Sequence, residues 1–467
     1  MFISEISLQN FKRFESANID ILAPLTYLLG PNSSGKSSII KALLGLKQTV
    51  SPSNESESFS TQGEYVDLGT YQDFVYGHNI KRNFTIGVCL QQSAEEETPI
   101  RIGRQHRFAE RISYSFEFDY NPITEQPRVF SISIIVNFDG LFDPLILTIA
   151  RKATRDTYRL FVNREFVDKN SGDFPGDQRT RFRFWSRGLD VVHLNRLLFR
   201  RSYTRGAAVY NDQSIAWMTH FLNLFARELS ENLYCIGPIR SSPSRNYIRT
   251  SHSRAVGPHG EFTASVLANL SKRAKKVTTG SSVLQDQMKF LRTSLELLFP
   301  GKGFTPKTLQ ELVRLEFFTV ATDTTIRPKG ESIIDVGFGF SQVFPILVQL
   351  AVMPKGSLLV VEQPELHLHP LAQTRLAKVF ALAIEEKKWI LAETHSDHLI
   401  RGTQLAVASA KPAESDEKSD PGVTALYIPE QGIPQKLTIS PDGTFREPWP
   451  DGFFDVGYNT LMSVLKK

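Results

Sequence analysis

A short run of residues near the start of the chain has the composition of a phosphate-binding loop. Gly30 to Ser37 reads GPNSSGKS and fits the pattern G-x-x-x-x-G-K-[ST]. The two glycines let the backbone wrap around phosphate with its N–H groups directed inward, and the helix expected after the loop adds its positive dipole end. Lys36 is placed to reach the β- and γ-phosphates of ATP, and the Ser37 hydroxyl to bind Mg²⁺. The predicted nucleotide contacts in this run are Asn32, Ser33, Ser34, Gly35, Lys36, Ser37 and Ser38.

Acidic and imidazole side chains follow two apolar runs in the C-terminal third of the chain. Residues 357–370 read SLLVVEQPELHLHP, so Glu362 ends a predicted buried strand. A parallel sheet presents its functional groups at this end of its strands, and Glu362 is suited to hold magnesium directly or through water. Residues 392–396 read AETHS and place His395 after the second apolar strand, where its imidazole can contact the γ-phosphate.

A glycine pair followed by serine stands before a third apolar run. Residues 335–342 read DVGFGFSQ and precede Val343 to Leu350, which has the character of a buried helix. A serine near a helix start after glycines can bind phosphate, which makes Gly339 and Ser341 candidate nucleotide contacts. Glycine turns before helices are common, so this pattern alone is not specific.

One strongly basic segment stands in the middle of the chain. Residues 179–205 hold eight arginines and one aspartate, interleaved with aromatic residues. Such a surface suits an acidic protein partner or a subunit interface, where arginine is enriched. It also suits phosphate backbones and stacked bases. A third reading is a solvated face whose arginines pair with acids elsewhere. We rank the protein interface first, nucleic acid second and the solvated face third.

Hydrophobic periodicity predicts the elements that must position these residues. A buried strand at 25–29 and a helix at 38–46 surround the phosphate loop. An antiparallel group of strands is expected between residues 84 and 150, and helices at 214–231, 262–278 and 282–299. The strand, helix and strand expected over 358–392 imply a parallel sheet. The fold class predicted from these patterns is α/β.

Length and composition bound the class of protein. The 467 residues are enough for two or three domains, and 41% hydrophobic with 22% charged residues is typical of a soluble globular chain. The two cysteines lie far apart without metal-ligand spacing, so we expect a reducing, cytoplasmic setting. No apolar run approaches the roughly 18 residues of a membrane helix, and no signal peptide is expected. The net charge of +5 is mildly basic.

The ordered set of these motifs resembles the ATP-binding-cassette-type ATPases, and more narrowly their SMC/RecF/OLD-like branch. The segments that carry the narrower resemblance are NFKRF at 10–14, PELHLHP at 364–370, ETHS at 393–396, Pro238-Ile239-Arg240 and the tail 449–455. The resemblance implies an ABC-type head, with the phosphate loop on a mixed or parallel sheet beside an antiparallel β subdomain and with a mainly helical insertion. It covers roughly residues 1–90 and 330–467.

This resemblance also implies a mode of assembly and further site residues. Two heads would dimerise around ATP–Mg²⁺, with each nucleotide lying between the phosphate loop of one copy and Ser341 of the other. Lys12 or Arg13 would lie near the phosphates or base of the nucleotide. Gln72 would be the glutamine that helps to hold the metal, although a surface loop residue is an equally good reading of that position.

The chain departs from the family at one position. The family usually has two adjacent acids after the strand, the first for metal and the second to activate water, whereas this chain has Glu362 followed by Gln363. A neutral amide can orient water but cannot accept its proton. Either Glu365 substitutes for the second acid, or ATP acts mainly as a clamp. We favour slow hydrolysis with Glu365 or Gln363 positioning water.

Three ranges and three functions follow as expectations. Residues 1–165 and 331–467 would form the two parts of the ATPase head, and 166–330 a helical assembly module. The preferred function is an ATPase sensor or scaffold that controls a separate nuclease or toxin, similar to the ATPase subunit of two-gene anti-phage systems such as PARIS. The chain after His395 is too short for the Toprim nuclease domain of OLD-type proteins, so the effector is expected on another chain. The alternatives are a DNA-repair ATPase that binds DNA directly and a scaffold that holds ATP with little hydrolysis.

Overall fold

A computed structural model describes most of the chain. The described residues are 1–21, 23–51, 57–92, 99–102, 105–139, 141, 143–151, 157–162, 189–190, 213–250, 254–276, 282–320, 330–410, 422–431, 433–450 and 463–464. The arginine-rich segment 179–205 lies outside these residues except for 189–190, and so does the 451–455 part of the tail.

Groups of strands are separated by helices along the described part of the chain. The strands are β1 (Phe2–Phe11), β2 (Phe14–Asp20), β3 (Leu25–Leu29), β4 (Phe84–Gln91), β5 (Pro99–Ile102), β6 (Gln105–Asn121), β7 (Gln126–Phe138), β8 (Leu145–Arg151), β9 (Thr157–Val162), β10 (Leu189–Asp190), β11 (Leu233–Ile236), β12 (Tyr247–Ile248), β13 (Lys302–Leu309), β14 (Leu312–Thr319), β15 (Glu331–Ser332), β16 (Leu358–Glu362), β17 (Trp389–Glu393), β18 (Val423–Tyr427) and β19 (Gln435–Thr438). The helices are α1 (Lys36–Thr49), α2 (Tyr71–Phe74), α3 (Gln213–Glu231), α4 (Thr263–Lys276), α5 (Ser282–Leu298), α6 (Phe338–Val352), α7 (Pro370–Glu385) and α8 (Asp397–Ser409).

The chain forms two compact units. The first contains Met1–Leu22 and Ser37–Leu233, and the second contains Ala23–Lys36 and Tyr234–Lys467. These units cut across the three ranges 1–165, 166–330 and 331–467, whose separate roles stay a prediction.

The first unit is built on an antiparallel sheet. Its strand order is β10-β9-β8-β7-β6-β4-β1-β2, and β5 pairs with β6. In β7 the buried residues Ile132, Ile134 and Val136 alternate with more exposed neighbours, because one face of the sheet packs on the core. The antiparallel β subdomain predicted from the sequence is therefore present.

Aromatic side chains fill part of the core of the first unit. The rings of Phe84 and Phe118 stack at 4.9 Å, and Phe74 meets Phe84 edge to face at 5.2 Å. Phe59 lies within 5.5 Å of Phe84 and 5.1 Å of Phe118. These contacts fix α2 and the segment before it against β4 and β6.

Helix α3 is attached to the rest of the first unit by two buried polar groups. The Tyr114 hydroxyl on β6 donates to the Phe221 carbonyl at 2.9 Å. At the other end of the helix, the buried Lys47 ammonium on α1 donates to the Leu229 carbonyl at 2.7 Å and to the Ser230 carbonyl at 3.4 Å. A cation at a helix C-terminus also interacts favourably with the helix dipole.

The second unit contains the sheet that carries the phosphate loop. Its strand order is β11-β16-β17-β3-β18-β19. Strands β16, β17, β3 and β18 run parallel, and β19 pairs antiparallel to β18. All five residues of β3 are buried, as expected for an interior strand of a parallel sheet. The Tyr27 hydroxyl at the centre of β3 lies 2.8 Å from the Thr403 hydroxyl of α8.

A smaller antiparallel sheet and the helices α4 to α8 complete the described part of the second unit. The order β12-β14-β13 is joined by β15 on β14. Phe317 on β14 packs against Phe340 and Phe344 of α6, with ring centroids 4.6 Å and 4.9 Å apart. Among the residues that the structure describes, none of the helices is long and apolar enough to cross a membrane. The α/β fold predicted from the sequence, a parallel phosphate-loop sheet with an antiparallel β subdomain, is confirmed.

Candidate nucleotide-binding site

The phosphate loop leaves the parallel sheet from an interior strand. Strand β3 lies between β17 and β18, and the loop begins directly after Leu29. The Lys36 ammonium is buried within the loop and donates to the Gly30 carbonyl at 2.9 Å and the Pro31 carbonyl at 2.7 Å. Asn32 and Ser33 lie at the exposed tip. The cation is therefore held inside the ring of backbone that the sequence motif predicts.

The conformation of the loop suits an anion. Gly30, Ser33 and Gly35 have φ angles of 140°, 61° and 104°, which turn the backbone as a phosphate cradle requires. The Ser34 hydroxyl is buried and has no hydrogen-bond partner among the described residues. An unsatisfied buried donor next to a buried ammonium fits a ligand with phosphate oxygens. The residues of the loop within the second unit thus fit the predicted triphosphate.

Acidic residues end two consecutive strands on one side of β3. Glu362 ends β16 and stands in parallel register with Glu393, which ends β17. Because β16, β17 and β3 run parallel, these carboxylates and the phosphate loop meet at the same edge of the sheet. Gln363 follows with a φ of 45°, and its N–H donates to the Glu393 carbonyl at 2.7 Å. The sequence predicted this meeting of Glu362 with the loop.

Glu365 is buried close to His395. One oxygen of its carboxylate accepts the His395 backbone N–H at 2.9 Å, and the other has no hydrogen-bond partner among the described residues. Burial raises the pKa of the Glu365 carboxyl, while the backbone hydrogen bonds, Thr394 and the charge of Arg240 act in the opposite direction. A carboxylate with a raised pKa is a stronger base than an exposed one, which suits a general base.

Lys36, Glu393 and His395 act on one another electrostatically. Burial lowers the pKa of Lys36, and the charge of Glu393 opposes that shift. The pKa of His395 is lowered by burial and by the positive charge of Lys36, so the neutral imidazole is favoured. His395 is held just before α8, whose first turn is capped by the Ser396 hydroxyl at 2.9 Å from the Leu399 N–H. The structure thus places the predicted histidine within electrostatic range of the phosphate-loop lysine.

The glycine-serine segment forms the start of α6. Gly337 precedes the helix with a φ of 112°, and Phe338 is 52% exposed. The side chain of Ser341 is buried, and its hydroxyl donates to the Phe338 carbonyl at 2.7 Å. A Cβ atom at Gly339 would collide with the backbone carbonyl of His367, so glycine is needed where α6 crosses the turn after β16. The capping of a partner's nucleotide by Gly339 and Ser341 stays a prediction.

The remaining predicted contacts lie in the first unit. Ser37 and Ser38 lie in the first turn of α1, and Arg13 lies in the turn between β1 and β2. In the same turn, burial and then the charge of Lys41 lower the pKa of Lys12. Gln72 is exposed on α2. Within the described residues, no group of three His, Cys, Asp or Glu side chains forms a metal site by itself. The roles of Gln72, Arg13 and Ser37 stay predictions.

The sequence analysis did not identify two residues as members of the site. Burial lowers the pKa of Lys36 and the charge of Glu393 raises it, and the position of Glu393 at the end of an apolar strand is the same signal that identified Glu362. Arg240 donates to the Glu362 carbonyl at 2.8 Å and the Gln363 carbonyl at 3.0 Å. No local pattern places Arg240 there, since more than a hundred residues separate it from the turn that it contacts.

Comparisons with known proteins agree with this site. The profile of the "AAA ATPase domain" family matches residues 1–167, and that of an "AAA domain" family described with the AbiEii toxin and a type IV TA system matches residues 292–401. The DNA replication and repair protein RecF of Roseiflexus castenholzii is 31% identical over 110 residues, which are 21% of this chain and 26% of that protein. RecF of Vibrio campbellii is 27% identical over 106 residues, or 22% of this chain and 28% of that protein.

Similarity extends to chromosome-partition proteins. Smc of Methanocaldococcus jannaschii is 34% identical over 119 residues, which are 25% of this chain and 9% of that protein. Among solved structures, one match is an SMC head bound to a winged-helix domain of ScpA. The match covers 94% of this chain and 98% of the SMC head chain, with 12% sequence identity and a TM-score of 0.45. The SMC head domain from Thermotoga maritima covers 94% and 100% at 10% identity and a TM-score of 0.36. Over the matched segments the chain is therefore similar to AAA ATPase domains and to RecF and Smc proteins. The chain spans less than a third of the length of the curated relatives that it matches.

Proposed function

We propose that this chain binds ATP–Mg²⁺ in its phosphate loop, hydrolyses it slowly, and pairs with a second copy around the nucleotide. The observation that carries the proposal is the meeting of Lys36, Glu362 and His395 at one edge of the parallel sheet. Lys36 holds the β- and γ-phosphates, Ser37 and Glu362 hold the metal, and His395 contacts the γ-phosphate. The metal supplies charge neutralisation on the phosphates. Glu365 or Gln363 positions the attacking water.

The proposed role of this ATPase is to control a separate effector, a nuclease or toxin, in cytoplasmic anti-phage defence. The match of residues 292–401 to an AAA-domain family described with the AbiEii toxin and a type IV TA system supports a toxin–antitoxin setting for this chain. The exposed Phe338 at the start of α6 offers an apolar contact for a second copy. The arginine-rich segment 179–205 is the proposed contact with a protein partner.

ATP turnover and assembly test this proposal directly. We expect Mg²⁺-dependent hydrolysis and an ATP-dependent doubling of the mass measured by light scattering. Both should be lost in Lys36→Ala and kept in Lys355→Ala, whose lysine is exposed elsewhere in the second unit. Absence of ATP binding by the parent chain would refute the proposal. Mass spectrometry of proteins that co-purify from native cells would identify the effector.

A DNA-repair ATPase is the second candidate, because the matched relatives include RecF proteins of DNA replication and repair. In that case DNA would stimulate ATP turnover, and binding would weaken steeply with salt. Turnover that ignores DNA but changes with a phage protein would favour the defence role. The neutral Gln363 keeps open a third function, a scaffold clamped by ATP, which would show nucleotide-dependent pairing without measurable turnover.

A further inference from the structure

The guanidinium of Arg240 is buried beside the candidate site. It follows β11 in the segment Gly237 to Arg240, whose backbone is fixed by a hydrogen bond from Gly237 N–H to the Pro258 carbonyl at 2.8 Å. A second such bond joins the Ser241 N–H to the His259 carbonyl at 2.8 Å. The Arg240 side chain is 6% exposed, whereas the side chain of Ile239 beside it points to solvent. The hydrogen-bonded backbone of this segment therefore directs the cationic side chain of Arg240 into the protein interior.

The contacts of Arg240 are with the turn that carries the acidic residues. Its Nη2 donates to the carbonyls of Glu362 and Gln363 at 2.8 Å and 3.0 Å. Gln363 has a left-handed φ of 45°, which costs a non-glycine residue free energy unless the surroundings hold it. The Gln363 N–H is bonded to the Glu393 carbonyl at 2.7 Å. Arg240 on one side and Glu393 on the other thus hold the turn in this conformation.

The charge of Arg240 interacts with two acidic residues of the site. Its Nε and Nη1 are buried without a hydrogen-bond partner among the described residues. Every buried donor without a hydrogen-bond partner costs free energy. An arginine that served only to fill space in the core is therefore not expected to leave two donors unsatisfied. Burial lowers the pKa of Arg240 to about 10, and the nearby negative charges of Glu365 and Glu362 oppose that shift. The guanidinium stays charged at neutral pH, within electrostatic range of both acids.

We propose that Arg240 is a positioning residue for ATP hydrolysis, which fixes the Glu362–Gln363 turn through its two carbonyls. The inference rests on the proposed ATPase function and names a residue that acts on the metal-binding and water-positioning side chains without touching nucleotide. Misplacement of catalytic groups by about 1 Å can reduce a rate on the order of a hundredfold. Loss of Arg240 therefore slows turnover but leaves the phosphate loop intact.

The test compares Arg240→Gln with Arg240→Lys and with the control Arg245→Gln. Arg245 follows that segment in the chain, but it is exposed and paired with Asp335 at 2.9 Å and 3.0 Å. In Arg240→Gln we expect kcat to fall about 10- to 100-fold with the Kd for ATP–Mg²⁺ unchanged within about threefold. Arg240→Lys should fall between the Gln variant and the parent, because an ammonium restores the charge but not the planar fork. Arg245→Gln should match the parent.

Amide hydrogen exchange gives a readout that needs no turnover. Peptides covering residues 362–368 should exchange faster in Arg240→Gln and regain protection in Arg240→Lys. Unchanged kcat and unchanged exchange in Arg240→Gln would overturn the inference, and so would a loss of ATP affinity in proportion to turnover. If Arg240→Gln does not fold, Arg240→Lys decides by the same two measurements, and parental values overturn the inference. A parent chain without ATP turnover refutes the proposed hydrolysis, while the exchange data still decide whether Arg240 holds the turn.

Discussion

The replacement Gly339→Ala tests whether α6 and the turn after β16 are packed as the structure shows. A Cβ at position 339 would collide with the His367 carbonyl and lie 3.6 Å from the Leu368 N–H nitrogen. Both obstacles are backbone atoms, so no side chain can rotate away. The turn itself is tied by hydrogen bonds from Leu368 to Glu365 at 3.0 Å and from Leu366 to Gln363 at 3.1 Å. The helix or the whole turn must therefore move.

The expected magnitude is the difference between two opposing contributions. Alanine in place of a helical glycine stabilises by about 1 kcal/mol, whereas overpacking a well-filled site costs about 1 to 3 kcal/mol. Because the clash is between two backbones, we take the upper value and expect Gly339→Ala to lose about 2 kcal/mol. Urea unfolding followed by circular dichroism measures the loss. ATP turnover should fall as well, since displacement of the turn moves Gln363 and Glu365.

Gly237→Ala is the matched control. A Cβ at that position would meet only the Pro258 carbonyl oxygen, at 3.6 Å, which is ordinary van der Waals contact. We expect its stability and turnover to match those of the parent. A Gly339→Ala protein that is as stable as the parent, or more stable as helix propensity alone predicts, would refute the close approach of α6 to His367.

Three further results are expected. Lys36→Ala should bind ATP about 100-fold more weakly in calorimetry, because charge-assisted bonds to phosphate are lost; an unchanged Kd would contradict the assigned role. The raised pKa of Glu365 implies a contribution to stability that is present below its ordinary pKa and lost as pH rises through the raised folded value. As pH rises, the free energy of unfolding of Glu365→Gln should therefore increase relative to that of the parent. A difference between the two proteins that does not change with pH would exclude this contribution of Glu365. Lys47→Met should destabilise the chain by about 1 to 3 kcal/mol in urea, since the Leu229 carbonyl loses its buried donor; parental stability would show that this bond is replaceable.

Short apolar strands bounded by turn residues were predictable from the sequence. Residues 25–29 form β3 with the predicted bounds, because Pro24 and Gly30 mark both ends of an apolar run. The parallel sheet followed from the alternation over 358–392, and so did the position of Glu362 at the edge of the sheet where the phosphate loop begins. The ends of longer elements were less visible. The helix predicted at 38–46 extends over Lys36–Thr49 in the structure, since its polar terminal residues carry no hydrophobic period.

The sequence analysis did not predict the elements whose formation depends on tertiary contacts. Strand β13 contains Pro306 and is mostly exposed, so its local pattern does not indicate a strand, and its pairing with β14 supplies the missing hydrogen bonds. Helix α8 was not predicted, although Ser396 in the cap position was a usable signal. The position of Arg240 under Glu362 depends on the neighbourhood of β11 and β16 in the sheet, which no local spacing encodes.

The interior position of Tyr27 gives the protein a built-in chemical reporter. Its ring is fully buried and its hydroxyl is bonded to Thr403, and burial raises the pKa of that hydroxyl. Reagents that nitrate tyrosine attack the accessible phenolate, so Tyr27 should resist modification for as long as β3 remains inside its sheet. Mass spectrometry of the peptide that contains it would then follow the opening of the strand below the phosphate loop, without any label added to the chain.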